Sequence, residues 1–123
     1  MIQLVKLFIL FQAVGTIVCR VRDFIKHING SPQLLQKFEM LADLVASDIR
    51  AKKMVQDVAT RWNSTLAMLK RAFSLRKVIA AYLDSDVELQ RYVIMEHEWA
   101  LVQEVIKLLE PLEEVFEAFS VHL

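Results

Sequence analysis

Apolar residues recur every three or four positions along most of this 123-residue chain. That spacing places side chains on one face of an α-helix, and it constrains the fold more than any other feature of the sequence. The three clearest stripes are formed by Val14, Val18, Val21, Ile25 and Ile28, by Leu34, Phe38, Leu41, Val45 and Ile49, and by Trp99, Val102, Ile106, Leu109, Leu112, Phe116 and Phe119. Only two glycines and two prolines interrupt the chain. The pattern predicts an all-α fold, an irregular bundle of about five helices.

Short polar segments predict where the first helices begin and end. Gly30 is expected to close the first helix, because glycine readily adopts the left-handed conformation of a helix C-cap. Ser31 is expected to cap the second helix, with Pro32 at its first position, where proline loses no hydrogen bond. Residues 50–60 lose the apolar periodicity and carry three basic residues, which indicates a connection. Either Thr60 or Asn63 is expected to cap the helix that follows.

Two further signals shape the second half of the chain. Ser85 and Glu88 have the spacing of a capping box, which predicts a short helix ending near Met95. Pro111 interrupts the last stripe, and it predicts a kink or a break because proline removes a backbone hydrogen bond. Residues 3–11 are the one stretch in which a strand competes with a helix, since a short apolar run fits both.

The N-terminal segment is unusually apolar. Between Lys6 and Arg20 lie 13 uncharged residues. This run is shorter than the roughly 20 residues that span a bilayer, so no membrane partner is expected. It also resembles the apolar region of a secretory signal, but a buried core segment is the favoured interpretation. The chain therefore divides into an apolar N-terminal segment, 1–15, and a single helical domain, 16–123.

Charge is strongly segregated although the formal total is zero. Residues 1–83 hold 13 Lys and Arg against 5 Asp and Glu, a net charge of +8, and residues 84–123 hold 2 against 10, a net charge of −8. The first part would attract a polyanion and the last part would repel one. Equally, the two parts would attract each other, within one fold or between chains.

Residue types that carry out catalysis or bind metals do not form a recognisable arrangement. The three histidines, His27, His97 and His122, lack the spacing of metal ligands, and Cys19 is the single cysteine. Two isolated glycines cannot form a phosphate-binding loop. We therefore expect no enzymatic activity, no metal and no cofactor.

A basic stretch, residues 58–83, contains no acidic residue and begins with an arginine beside a tryptophan. Cations on a helix suit a phosphate backbone, an indole ring suits an unstacked base, and amide and hydroxyl groups suit phosphate or sugar. The candidate nucleic-acid-binding residues are Arg61, Trp62, Asn63, Ser64, Lys70, Arg71, Arg76 and Lys77. Periodicity alone favours core packing for Trp62, because it continues an apolar stripe.

The residue order around the Arg-Trp pair also supports the nucleic-acid-binding interpretation. DVATRWNSTLAMLKR, residues 57–71, resembles the D-x-x-T-R-W-N-S-T-x-x-M-L-x-R signature of hAT-superfamily transposases and of the host proteins derived from them, including BED-type zinc-finger proteins. The matching positions are Asp57, Thr60, Arg61, Trp62, Asn63, Ser64, Thr65, Met68, Leu69 and Arg71. The flanks, VRDFIKHINGSPQLLQKF and EWALVQEVIKLLEPLEEVFEAFS, are also similar, so the resemblance covers roughly residues 16–120.

The resemblance carries specific implications. The family's catalytic domain has a ribonuclease H-like fold with three metal-binding carboxylates, interrupted by a helical insertion that contains the Arg-Trp pair. In that family the tryptophan matching Trp62 stabilises a flipped-out base, which offsets lost stacking energy. The catalytic carboxylates lie outside the matched segment, and Asp57 belongs to the signature rather than to catalysis. Residues 1–15 depart from the family pattern.

These points combine into two expected functions. The first is a truncated, nuclear, hAT-transposase-like protein that binds DNA weakly and does not cut it. The alternative is a helical interaction module, in which basic residues 50–83 and acidic residues 84–123 join copies of the chain or join it to a full-length transposase-like protein. A secreted product is the remaining alternative, if residues 1–15 act as a signal.

Overall fold

A computed structural model of the chain describes residues 2–58 and 60–121, and within them the secondary structure is entirely helical. The elements are α1 (Ile2–Asn29), α2 (Pro32–Val45), α3 (Trp62–Ser74), α4 (Arg76–Asp84), a 3-10 helix (Val87–Tyr92) and α5 (Glu96–Val121). The predicted all-α bundle of about five helices is confirmed, and residues 3–11 are helical rather than extended. Outside the description lie the side chains of Phe116, Phe119 and Ser120, and residue His122.

Helix α1 is the element around which the others pack. It contacts α5, α2, the 3-10 helix and α3, while α3 also packs on α5 and α2 on α4. The predicted stripe of α1 supplies the buried surface, since Val14, Val21, Ile25 and Ile28 are all inside the core. Burying such side chains contributes about 1.5–3 kcal/mol each.

Four aromatic rings from four different elements meet at the centre of the core. Phe24 of α1 lies 6.2 Å from Phe38, 5.5 Å from Tyr82 and 5.7 Å from Tyr92, measured between ring centroids. Phe38 and Tyr82 are themselves 5.9 Å apart. Tilted and edge-to-face arrangements of this kind are favoured by the ring quadrupoles. The cluster therefore joins α1, α2, α4 and the 3-10 helix.

The boundary between α1 and α2 lies where the sequence predicts it, but the two predicted caps do not form. Gly30 ends α1 without adopting a left-handed conformation, and its N–H donates to the carbonyl of His27 at 3.3 Å. Ser31 and Pro32 do open α2, with Ser31 in an extended conformation. The Ser31 hydroxyl, however, lies 2.8 Å from the side-chain oxygen of Gln33 and makes no cap hydrogen bond.

The predicted capping box at Ser85 is wrong. Asp86 is the cap, and its carboxylate accepts from the backbone N–H of Glu88 at 3.0 Å. The Ser85 hydroxyl instead donates to the carbonyl of Tyr82 at 2.6 Å, at the end of α4. Because that hydroxyl is already occupied, the cap moves one residue along and the following element is a 3-10 helix.

Of the kink or break predicted at Pro111, the break does not occur, since α5 continues through Pro111 to Val121. Pro111 lacks the N–H that would bond to the carbonyl of Lys107. Both residues are exposed, so water can hydrate that carbonyl and the helix need not end. An interruption occurs elsewhere, at Leu75, which separates α3 from α4.

The first half of α1 is not the buried core segment that the sequence suggested. Helix α1 passes residue 15 without a boundary, and large apolar side chains before it are exposed, namely Leu4, Val5, Phe8, Ile9 and Phe11. By length and composition alone, the helix Leu4–Asn29 is apolar enough to cross a membrane, since an 18-residue window within it has a mean hydropathy of 1.9. The core helix of a soluble protein and a signal sequence meet the same criterion.

The aromatic cluster gives a first prediction. Replacing Phe24 by alanine should lower the free energy of unfolding by about 3–5 kcal/mol, because the cavity lies among three other rings. Leu44→Ala is the matched control, since Leu44 is 79% exposed on α2, and it should change the free energy by less than about 0.5 kcal/mol. Urea unfolding followed by circular dichroism measures both. Equal losses in the two variants would contradict the central role of the cluster.

Candidate nucleic-acid interface

The Arg-Trp pair lies where the connection 46–61 turns into α3. Arg61 is the N-cap residue in an extended conformation, and neither Thr60 nor Asn63 caps the helix as predicted. Ser64 organises the turn instead. Its hydroxyl accepts from the backbone N–H of Val58 at 2.9 Å and lies 2.9 Å from the carbonyls of Val58 and Arg61. The Ser64 side chain, predicted to contact nucleic acid, is therefore engaged within the turn.

Asp57 is the buried charged residue beneath this turn. The guanidinium of Arg22 donates two hydrogen bonds to it, from Nε to Oδ1 at 2.8 Å and from Nη2 to Oδ2 at 2.7 Å. The hydroxyl of Thr65 donates to Oδ2 at 2.6 Å. Asp57 thus joins α1, the connection and the first turn of α3. Sequence reasoning assigned no role to Arg22, because nothing in its local pattern identifies so distant a partner.

The same contacts set the charge state of the cluster. The hydrogen bond from Arg22 holds the pKa of Asp57 below its ordinary value, against the opposing effect of burial, and the Thr65 hydroxyl lowers it further. That hydrogen bond also raises the pKa of Arg22. Both groups therefore stay ionised near neutral pH, as a buried pair must if neither charge is to be left uncompensated.

A second ion pair fixes α5 against α1. Arg20 pairs with Glu98 and donates to the carbonyl of Val93 at 2.7 Å. Glu98 also accepts from the backbone N–H of Met95 at 2.9 Å, at the start of α5. The Arg20 hydrogen bond is the main reason that the pKa of Glu98 falls to about 2.

The side chains at the start of α3 remain accessible. Arg61 and Asn63 are exposed, and the side-chain amide oxygen of Asn63 accepts from the N–H of Ser64 at 3.1 Å. Trp62 is 39% exposed, so part of its indole is covered and part faces solvent. This position is compatible with packing on one side and base stacking on the other.

The next two candidate cations point in different directions. The ammonium of Lys70 lies 3.7 Å from Glu110 and 3.8 Å from Glu113, both on α5. Arg71 instead donates to the carbonyl of Lys53 at 2.7 Å, on the connection. Consecutive helix residues project about 100° apart, which is why Lys70 meets α5 while Arg71 meets the connection.

The last two candidates lie at the start of α4. The guanidinium of Arg76 sits 4.2 Å from the ring centroid of Phe73 and donates to the Phe73 carbonyl at 2.9 Å. Lys77 is exposed and lines a small cavity beside Asp48 and Arg76. The charge of Arg76 is thus engaged inside the fold, and only Lys77 projects freely outward from this pair.

Three cations that sequence reasoning left out complete the strongest basic feature. Arg50, Lys52 and Lys53 join Arg71 in lining a shallow pocket of about 520 Å³, which also contains Glu39 and Asp43. We call these four cations the basic loop cluster. Lys52 pairs with Asp43 at 2.9 Å, which leaves the cluster a net positive charge. The signal was present in the sequence as three basic residues within 50–53.

Metal-binding clusters are absent from the part of the chain that the structure describes. Among residues 2–58 and 60–121, no three His, Cys, Asp or Glu side chains come together as ligands. Asp57, the acidic residue of the Arg-Trp signature, has both oxygens occupied by Arg22 and Thr65.

The ion pairs predict a specific pH dependence. Asp57 and Glu98 have lowered pKa values in the folded protein, so their stabilisation is complete above the unfolded value of about 4. It should be lost as the pH falls from about 4 towards 2. Asp57→Asn should lower the free energy of unfolding at pH 7 by about 3–5 kcal/mol, because Arg22 loses its buried partner, and should flatten the acid-induced decline.

Urea unfolding between about pH 2 and pH 7 measures these effects. Asp43→Asn is the control, because Asp43 is a mostly exposed carboxylate paired with Lys52. Its removal should cost less than about 1 kcal/mol. An acid-induced decline in Asp57→Asn as steep as that of the unaltered protein would contradict the assignment.

Comparison with known proteins agrees with this architecture. The family model described as the ZBED1 RNase-like helical domain matches residues 7–108. A protein of Talaromyces stipitatus named "Putative transcriptional regulator tpeD" is 32% identical over 94 residues, which cover 75% of this chain and 10% of that protein. The chain thus corresponds to about a tenth of the length of that curated relative. No match was found among solved structures.

The matched range runs from the first half of α1 into α5 and includes the Arg-Trp turn, the basic loop cluster and both buried ion pairs. This match agrees with the resemblance to hAT transposases and BED-type proteins, at the level of a transposase-derived helical domain. The chain belongs to the family of the ZBED1 RNase-like helical domain.

Proposed function

We propose that this chain is a nuclear, helical nucleic-acid-binding domain that holds nucleic acid without cutting it. Family membership supports a transposase-derived origin, and the name of the Talaromyces relative describes that protein as a transcriptional regulator. In the hAT superfamily that the sequence resembles, the tryptophan matching Trp62 supports a flipped-out base. The proposal therefore has two parts, a phosphate contact and a base contact.

The observation that carries the proposal is the hydrogen bond from Arg71 to the carbonyl of Lys53. It holds the connection against α3 and gathers the basic loop cluster around one shallow pocket. Several cations at one place neutralise neighbouring phosphates and release their counterions, which produces salt-dependent affinity. Arginine also offers a planar fork that matches phosphate oxygens.

The base contact is assigned to the Arg61-Trp62 turn. Asp57, Thr65 and Ser64 hold this turn through hydrogen bonds of 2.6–2.9 Å, so little ordering is required when a ligand arrives. The exposed part of the Trp62 indole provides a surface for one unstacked base, worth about 1–3 kcal/mol. Arg61 adds a cation beside it.

The absence of strand cleavage is part of the proposal. Cleavage of the hAT type requires carboxylates that hold two metal ions. Asp57 is unsuited to that task because Arg22 and Thr65 occupy its oxygens. We expect a labelled hairpin incubated with the protein and Mg²⁺ or Mn²⁺ to stay intact.

Fluorescence anisotropy with a DNA hairpin that carries an unpaired base tests binding. Lys53→Ala should reduce the slope of log affinity against log salt by about one, because one phosphate contact is lost. Trp62→Ala should weaken hairpin binding by about fivefold to a hundredfold and leave a fully paired duplex nearly unaffected. Lys107→Ala is the control, because Lys107 is an exposed cation on the acidic helix α5.

Two results would count against the proposal. One is an absence of binding to either oligonucleotide at about 50 mM salt, where phosphate contacts are strongest. The other is an equal effect of Lys53→Ala and Lys107→Ala, which would mean that bulk charge alone attracts the DNA. Circular dichroism of each variant checks that the helices are retained.

A second candidate function is a charge-driven interaction module, as the sequence suggested. Exposed carboxylates on α5, those of Glu104, Glu114 and Glu117, favour it, since they are available to the basic loop cluster of another copy or of a full-length transposase-like protein. Association of this kind should disappear at high salt, because exposed charges are screened. The pairing of Lys70 with Glu110 and Glu113 shows that part of this attraction acts within one chain.

A further inference from the structure

Helices α1 and α5 run in opposite directions. His27 of α1 stacks near Tyr92 at 5.6 Å, while Arg20, almost two turns earlier in α1, contacts Glu98. As the chain proceeds from Tyr92 into α5, it therefore passes residues of α1 in decreasing order of residue number. The beginning of α1 and the end of α5 consequently lie at the same end of the bundle.

Among the side chains that the structure describes at these two helix ends, many of the large apolar ones are exposed. Eight large apolar residues there are 44–68% exposed, namely Leu4, Val5, Phe8, Ile9 and Phe11 of α1 and Leu108, Leu112 and Val115 of α5. We call them the apolar arm surface. At roughly 600 Å² it equals the largest apolar patches that monomers usually leave uncovered, since a fully exposed aromatic side chain alone presents about 150–250 Å².

The spacing on α5 is that of a helix-packing seam. Leu101, Val105, Leu108, Leu112 and Val115 are separated by four, three, four and three residues. Such spacing is typical of helices that pack side by side along their length. The seam is covered within the fold at Val105, which is 2% exposed, and uncovered from Leu108 onward.

We propose that a second copy of this chain covers the apolar arm surface. Two arms related by a two-fold axis would pack as a four-helix bundle, with one α1 and one α5 from each copy. Two surfaces of this size bury on the order of 1,200 Å², which exceeds the roughly 1,000 Å² that a specific interface needs. This inference goes beyond the proposed nucleic-acid binding and does not depend on it.

Two features of the arm favour a second copy over a lipid bilayer. The uncharged run between Lys6 and Arg20 is about 20 Å long as a helix, whereas a bilayer core is about 30 Å thick. Arg20 is held against Glu98 and cannot slide into a bilayer without breaking that pair. The end of α5 also carries exposed Glu114 and Glu117 beside its apolar residues, and such charges are costly at bilayer depth.

Sedimentation equilibrium of the full chain, over about 1–100 μM, tests the proposal. The mass should rise from the 14.3 kDa monomer towards twice that value. The dimer should persist in about 1 M NaCl, because an apolar interface is not screened by salt. Phe8→Glu and Leu112→Glu should each weaken dimerisation by at least about tenfold, while Leu44→Glu, at an exposed apolar position on α2, should leave it unchanged.

Three outcomes would overturn the proposal. The first is a monomer throughout this concentration range. The second is a dimer that dissociates in high salt or that survives both arm variants, which would assign association to the charged segments instead. The third is sedimentation of the unaltered chain with neutral phosphatidylcholine vesicles in place of dimerisation. Because Phe8 and Leu112 are exposed, unchanged circular dichroism should accompany loss of the dimer in each variant.

Discussion

The buried ion pair between Asp57 and Arg22 is the interaction on which the candidate site depends. A carboxylate removed from water must be paired and hydrogen-bonded, and Asp57 obtains both from Arg22 and Thr65. The described part of the connection, 46–58 and 60–61, lacks helix and strand, so no ladder of backbone hydrogen bonds positions it. Its path is set by this pair at one end and by the Arg71 bond to Lys53 in the middle. Arg61 lies at the end of that path, and Trp62 follows it as the first residue of α3.

The sequence predicted the architecture well because a period of 3.6 residues is a local property that one chain displays directly. The stripe from Val14 to Ile28 is buried almost as expected. Predictions about ends and partners were less successful, since they depend on competition for hydrogen bonds. Ser85 has the right spacing for a cap, yet the Tyr82 carbonyl takes its hydroxyl. No periodicity reveals that Arg22 meets Asp57, thirty-five residues away.

In the candidate site, too, local features were predicted from the sequence and distant partners were not. The sequence was enough to identify Arg61 and Trp62 as candidates, because a cation adjacent to an indole can be recognised without knowledge of the fold. It also grouped Lys70 with Arg71 as neighbours, whereas the helix directs one towards α5 and the other towards the connection. The fold also pairs some charges of the basic part of the chain with charges of the acidic part. Arg20 with Glu98, and Lys70 with two glutamates of α5, bring opposite halves of the chain together. The four cations of the basic loop cluster exceed the two carboxylates, Glu39 and Asp43, that line the same pocket.

The position of Asp57 has a consequence for how copies of such a chain would decay. A residue that serves chemistry alone is lost freely once the chemistry is no longer needed. Asp57 instead joins α1, the connection and α3, so its loss is expected to destabilise a chain whether or not that chain has any chemistry. The turn that presents Trp62 is built on the same contacts. A copy of the chain that still folds through these contacts would therefore retain the turn from which residue 62 projects.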